Sequence, residues 1–193
     1  IIKNFIIPLI GKHNVQNCLA SISLSKYLNI SYSQIKKSLK TFQGVKRRFS
    51  VLLNSGKNLI IDDYAHHPSE IKVTLDSLKL ISRKRIIVIV EPHRYSRLSS
   101  LLENFIDSLQ CADSIYLLPI HSAGETNKRE INNEIFCKRL KKHYPEKQVL
   151  KVSTQEHFFN ILKNNVNPGD NIIFLGAGKS SSIAKEFCRY LEF

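Results

Sequence analysis

A doubly wound α/β domain with a mostly parallel sheet is the fold class predicted by this 193-residue sequence. Three observations predict it. Beyond residue 58, short apolar runs alternate with helical stretches in the order that builds βαβ units. One run, "RIIVIVE" (85–91), is continuously apolar, as in strands that a parallel sheet buries on both faces. The polar and glycine-rich clusters follow directly on such runs, at the edge where open α/β sheets bind ligands.

"IIKNFIIPLI" (1–10) reads as a strand that Gly11 breaks. "KHNVQNCLASISLSKYL" (12–28) reads as a helix on the spacing of Val15, Leu19, Ile22 and Leu24. "NISYSQIKKSLKTF" (29–42) is a second helix, with Ser31 or Ser33 as N-cap. Gly44 ends that segment, and the domain boundary is placed there, separating 1–43 from 44–193. "VKRRFSVLLN" (45–54) and "NLIIDD" (58–63) are strands around a turn at Ser55–Gly56. A helix follows over 68–81, with Pro68 in its first turn. Strand 85–91 leads to a helix over 96–110, strand 113–120 to a helix over 133–144, and strand 147–153 to a helix over 154–165. Strand 170–176 and a closing helix over 179–193 complete the series.

Length suits one full domain and part of a second. The chain is 42% hydrophobic and 23% charged, ordinary for a globular protein. No apolar run reaches the ~18–20 residues of a membrane span, and the first ten residues make a poor signal peptide. Methionine is absent, so Ile1 reads as a point inside a longer polypeptide. Cysteines at 18, 111, 137 and 188 form no CxxC pair and fit no zinc spacing. They read as reduced thiols, and a cytoplasmic location is expected. The net charge of +13 is spread over helices without aromatic interleaving or an RNA-binding motif. Anionic substrates explain its sign, and neither a nucleic-acid nor a membrane partner is expected.

Chemistry collects at four strand ends. "DDYAHHP" begins at Asp62, "EPHRYSR" at Glu91, "HSAGE" at His121 and "GAGKSSS" at Gly176. Arg94 and Arg97 stand three apart at a helix start, a spacing that can place two guanidinium forks on one face beside a helix N-terminus. Such forks match a carboxylate or a phosphate. His66 and His67 sit beside Tyr64; an imidazole there can orient or deprotonate an amine, and no metal site is assigned. "GKS" at 178–180 is not a phosphate loop, because Ile173 stands where that motif needs its first glycine.

"GKHNVQN" (11–17), "GVKRRF" (44–49), "DDYAHHPSEI" (62–71), "PHRYSR" (92–97) and "AGE" (123–125) together resemble the Mur ligases over almost the whole chain. "DDYAHHP" with "PHRYSR" is the specific part, and points to the alanine-adding branch. The resemblance implies that 1–43 is the end of a central ATPase domain, a strand and two helices, and that 44–193 is a Rossmann-like C-terminal domain. It implies an ATP- and Mg2+-dependent ligase that joins L-alanine to UDP-N-acetylmuramate in two steps. ATP activates the muramate carboxylate as an acyl phosphate, and the neutral amine then attacks. By position, His13, Asn14 and Asn17 would meet adenine, Arg48 the ATP phosphates, and Asp63 the ribose or an Arg48-linked network. Arg94 and Arg97 would hold the alanine carboxylate, and Tyr64, His66 and His93 would line the same pocket, with His66 grouped with the arginines as catalytic. The family's "GTxGK[ST]" loop, magnesium ligands and UDP-binding domain are expected elsewhere on the polypeptide, so these residues alone are expected to be inactive. Leu98 and Lys179 depart from the family pattern. A Mur-type ligase for glycine, serine or a peptide, and a non-catalytic basic binding module, stay open.

Overall fold

The computed structural model describes residues 4–127, 131–152 and 154–192. It divides into two compact units, Ile1–Val45 and Lys46–Phe193.

The first unit carries α1 (Lys12–Tyr27) and α2 (Tyr32–Thr41). Ser31 caps α2, accepting from the Gln34 N–H while Gln34 reaches back to the Ser31 N–H. Cys18, Ile22 and Ile35 are buried, but Val15, Leu19 and Leu24 are exposed, so the periodicity read along α1 does not mark one buried face. The strand predicted over 1–10 is not formed at residues 4–10, and residues 1–3 lie outside the described residues. Pro8 has no N–H to give a ladder, Asn4 is left-handed at φ 67°, and no described residue of this unit is in a strand.

The second unit is the predicted doubly wound sheet. Six strands run in the order β1–β2–β6–β3–β4–β5, where β1 is Ser50–Asn54, β2 Leu59–Asp63, β3 Ile86–Val90, β4 Ser114–Leu117, β5 Gln148–Lys151 and β6 Asn171–Leu175. Only the β1–β2 hairpin is antiparallel. Residues 45–49, predicted to extend β1, are not in the strand: 46–49 turn instead, because Arg47 and Phe49 are left-handed at φ 60° and 49°.

Both faces of the sheet are covered, which explains the unbroken apolar run of β3. Ile86, Val88 and Val90 pack with α3 (Pro68–Ile81), α5 (Leu102–Ser108) and α6 (Asn133–His143) through Ile71, Leu75, Phe105 and Phe136. Ile87 and Ile89 face the other way, onto α7 (Gln155–Asn165) and α8 (Ser180–Glu192) through Phe158, Leu162, Ala184 and Phe187. The single helix predicted over 96–110 is two, α4 (Tyr95–Ser100) and α5, broken where Leu101 leaves helical geometry at φ −119°, ψ 25°.

Register sets the height of the functional edge. Asp63 pairs with Leu175, Leu175 with Val90, and Val90 with Leu117. Four parallel strands therefore end in line, and the loops beginning at Tyr64, Gly176, Glu91 and Leu118 start from one level.

Candidate functional site

The end of β2 is held by its own carboxylates. Asp63 Oδ2 accepts from the Phe49 N–H at 2.7 Å and Oδ1 from the Ala65 N–H at 2.7 Å. Burial pushes its carboxyl above the ordinary value, against the pull of those two N–H groups and the Arg48 charge. Asp63 is thus first a clamp on the 47–49 turn, with only its remaining lone pairs open to a ligand. Asp62 accepts from the Ser181 hydroxyl at 2.6 Å and lies 3.8 Å from Arg47 Nε.

Two arginines flank one ring. The guanidinium carbons of Arg47 and Arg48 stand 4.8 and 5.6 Å from the Tyr64 ring centroid. Arg47 is committed, donating to the Gly176 carbonyl at 2.6 Å. Arg48 is half-exposed and meets Glu70 only at 3.6 Å, so it keeps donors for an anion. Glu70 also accepts from the N–H groups of His66 and His67. Burial raises its carboxyl, but those donors with the His66 and Arg48 charges bring it below the usual range.

Three imidazoles follow in a row. Ring centroids of His66 and His93, and of His93 and His121, are each 5.1 Å apart, the second pair stacked. Tyr64 meets His66 edge-on at 5.1 Å. His66 Nδ1 is 2.9 Å from the Tyr64 carbonyl. His93 Nδ1 is buried without a hydrogen-bond partner. Burial, then the charges of His66, Arg97, His121 and Arg94, lower His93 to about 4, so it is neutral at pH 7.

The two predicted arginines share this edge but not a partner. Arg94 lies outside the helix as its N-cap, at φ 68°, and pairs with Glu125 at 3.4 Å. Arg97, one turn in, donates to the His66 carbonyl at 3.4 Å. The N-terminus of α4, expected to attract a ligand, is filled by Glu125, which accepts from the Ser96 N–H and hydroxyl at 3.0 and 2.6 Å. The Ser96 hydroxyl and N–H hold the Glu125 carboxyl below its usual range, with help from Arg94.

Tyr64, His66, His93, Arg94 and Arg97 thus gather at one edge beside Arg48 and Asp63. His13, Asn14 and Asn17 lie on α1 of the first unit. Asn14 donates to the Ile10 carbonyl at 2.7 Å, Asn17 is exposed, and His13 Nδ1 is buried without a partner.

Sequence reasoning singled out neither Glu91, His121, Arg47 nor Glu125 as site residues. The signal for Glu91 was a lone carboxylate ending an apolar strand opposite a Gly-x-Gly loop. A cleft of about 350 Å³, lined in part by Glu91, His121, Lys179 and Phe158, adjoins the site and contains none of the predicted residues. Among the described residues no cluster of three His, Cys, Asp or Glu side chains could hold a metal, and no helix is long and apolar enough to cross a membrane.

Comparison with known proteins gives concordant matches. The Mur ligase, glutamate ligase domain family matches residues 47–178. The chain is 36% identical over 186 residues to the UDP-N-acetylmuramate–L-alanine ligase of Gloeobacter violaceus, covering 96% of this chain and 40% of that protein. It is 41% identical over 189 residues to the enzyme of that name from Brachyspira hyodysenteriae, covering 97% and 40%. The crystal structure of a UDP-N-acetylmuramate–alanine ligase from Thermotoga maritima superposes with a TM-score of 0.78 at 28% identity, over 96% of this chain and 39% of that one. The chain therefore spans about 40% of the length of the curated relatives it matches.

Proposed function

The chain belongs to the Mur ligase family, and from that premise we propose that it supplies the amino-acid-holding part of an ATP-dependent ligase joining L-alanine to UDP-N-acetylmuramate in the cytoplasm. The observation that carries this reading is the 36% and 41% identity, over 96% and 97% of the chain, to two proteins named for that reaction. The gathered edge supports it independently. Arg97 and Arg94 hold the amino-acid carboxylate. Neutral His93 stands beside them and adds no charge that would repel the incoming amine. His66 and Tyr64 wall the pocket, and fixing both ends of a small amino acid makes its attack an oriented event.

On the nucleotide side, half-exposed Arg48 fits a phosphate, and Tyr64 offers an aromatic face beside it. Asp63 keeps lone pairs for a ribose hydroxyl. Within the first unit, taken by itself, exposed Asn17 and the carboxamide of Asn14 fit an adenine edge, with His13 beside them on α1. ATP, when bound, supplies the phosphoryl group that activates the muramate carboxylate. Among the described residues no three His, Cys, Asp or Glu side chains cluster to hold a metal, and we assign the protein ligands of the ATP-linked Mg2+ to the rest of the polypeptide, as the family resemblance implies. The 193 residues alone are therefore expected to be inactive.

The test is ADP release by the product of the complete reading frame that encodes this chain. Release should require both UDP-N-acetylmuramate and an amino acid. kcat/KM for L-alanine should exceed that for glycine by about tenfold or more, the scale of one methyl group in a fitted pocket. Equal use of glycine or L-serine, or no release with any of the three, overturns the reading.

A further inference from the structure

Glu91 sits where a doubly wound sheet ordinarily seats a ligand's anionic group. Val90 and Leu175 are register partners, and the helices following β3 and β6 leave on opposite faces. The crevice between them is the topological switch point. The loop opening α8 aims three N–H groups into that crevice. Glu91, 4% exposed, takes all three: Oε2 accepts from Gly178 at 2.9 Å and Ser180 at 3.2 Å, and Oε1 from Lys179 at 2.9 Å. The loop is shaped around this side chain. A Cβ on Gly176 would fall 2.7 Å from Glu91 Cβ, and one on Gly178 2.7 Å from Glu91 Oε1. A helix N-terminus with open amides favours an anion, and here the chain supplies its own.

The seat is tied on both flanks. Toward β2, Gly176 donates to the Asp63 carbonyl at 3.1 Å, Arg47 donates to the Gly176 carbonyl, and Ser181 donates to Asp62. Toward β4, the Arg94 N–H donates to the His121 carbonyl and the His121 N–H to the Pro92 carbonyl, both at 2.8 Å. Arg94 holds φ 68° between these restraints. A left-handed non-glycine residue costs energy and persists only where its surroundings over-determine it.

We propose that Glu91 is a positioning residue: its carboxylate is a built-in anion that fills the amide seat of residues 178–180 and so fixes the loop carrying His93, Arg94 and Arg97. By the same contacts it closes the sheet's switch point to free phosphate or carboxylate. The kinetic part rests on the amino-acid reading above; the seat itself does not.

Two variants of the 193-residue chain, labelled with 15N, test the seat. Glu91→Ala empties it, so sodium formate should shift the amides of Gly178, Lys179 and Ser180 with millimolar saturation, while those of the unaltered chain stay fixed. Glu91→Gln keeps the volume but turns an NH2 toward N–H donors. Hydrogen exchange at the same three amides should then quicken about tenfold or more relative to Ile172–Leu175. In the complete enzyme, Glu91→Gln should raise KM for the amino acid about tenfold with KM for ATP unmoved. Formate should partly restore Glu91→Ala. An unaltered chain that responds to formate as Glu91→Ala does, or a Gln variant exchanging at the original rate, overturns the proposal. Where Glu91→Ala does not fold, the exchange rates of Glu91→Gln decide. Amides that behave as expected with an unmoved amino-acid KM overturn the positioning role, and Arg97→Ala then decides whether the alanine reading falls with it.

Discussion

Acidification from pH 7.5 to 5 should weaken the sheet unit through His93 by an amount that the structure sets. The unfolded chain takes up this proton near 6.5, the folded chain only at about 4. The folded value is depressed, so between the two the unfolded state holds more protons. Stability from this group is therefore complete above 6.5 and is lost as pH falls toward 4. At ~1.36 kcal/mol per pH unit the whole window is worth about 3 kcal/mol, of which about 2 is lost by pH 5. Partial exposure of the ring and screening by water reduce this to about 1 kcal/mol. The cause is local: burial of the ring comes first, then the charges of His66, Arg97, His121 and Arg94, with no carboxylate among its main influences. His93→Gln removes the titration and keeps a neutral polar side chain. Urea unfolding followed by far-UV circular dichroism at both pH values, for both proteins, gives the difference directly. The unaltered chain should lose about 1 kcal/mol more than the variant between pH 7.5 and 5. Equal losses would refute the assignment of His93 as a partly buried, neutral imidazole.

Arg97→Ala should raise KM for L-alanine about tenfold or more, and KM for ATP far less, since a charge-assisted hydrogen bond is worth ~1.5–3 kcal/mol; equal effects on both would sink the carboxylate assignment. Arg48→Ala should leave the free energy of urea unfolding within about 0.5 kcal/mol of the original, because its pair with Glu70 is long and half-exposed, while raising KM for ATP. Gly178→Ala should destabilise by about 1–3 kcal/mol in the same urea assay, because the new Cβ meets Glu91 Oε1 at 2.7 Å and His121 Nδ1 at 2.8 Å.

The sheet was legible because its signals are local and redundant. β3 announces itself by five consecutive apolar residues and α3 by Pro68 in its first turn, and outside the sheet α2 does so by a serine at its start, Ser31 of the two offered. The failures share one physical origin, since they concern segments whose conformation is set by what they meet. Residues 4–10 are apolar enough for a strand, but a strand needs a neighbour to pair with. Residues 47–49 are β-compatible by type, yet Asp63 and Ser50 capture the N–H groups of Phe49 and Arg47 and turn the chain. The candidate site was legible as a set of strand ends and not as a set of partners. Glu91 could be placed at an edge from sequence, but only β6 lying beside β3 brings it to the amides of residues 178–180.

Arg94 and Arg97 show how that gap changes a mechanistic expectation. Spacing of three puts two side chains on one helix face only when both residues are helical. Arg94 is the left-handed residue before α4, so its guanidinium goes to Glu125 while that of Arg97 goes to the neutral carbonyl of His66. A substrate carboxylate must compete with Glu125 for Arg94, but with no formal charge for Arg97. Arg97 should therefore be the stronger anion holder, and Arg94→Ala should raise the amino-acid KM less than Arg97→Ala does. Glu125→Gln removes the competing charge, so in that background the cost of Arg94→Ala should grow toward that of Arg97→Ala. A double-mutant cycle on KM measures the coupling. Equal costs of the two arginine substitutions in the unaltered enzyme would contradict this division, and would mean that Arg94 leaves Glu125 when the amino acid arrives.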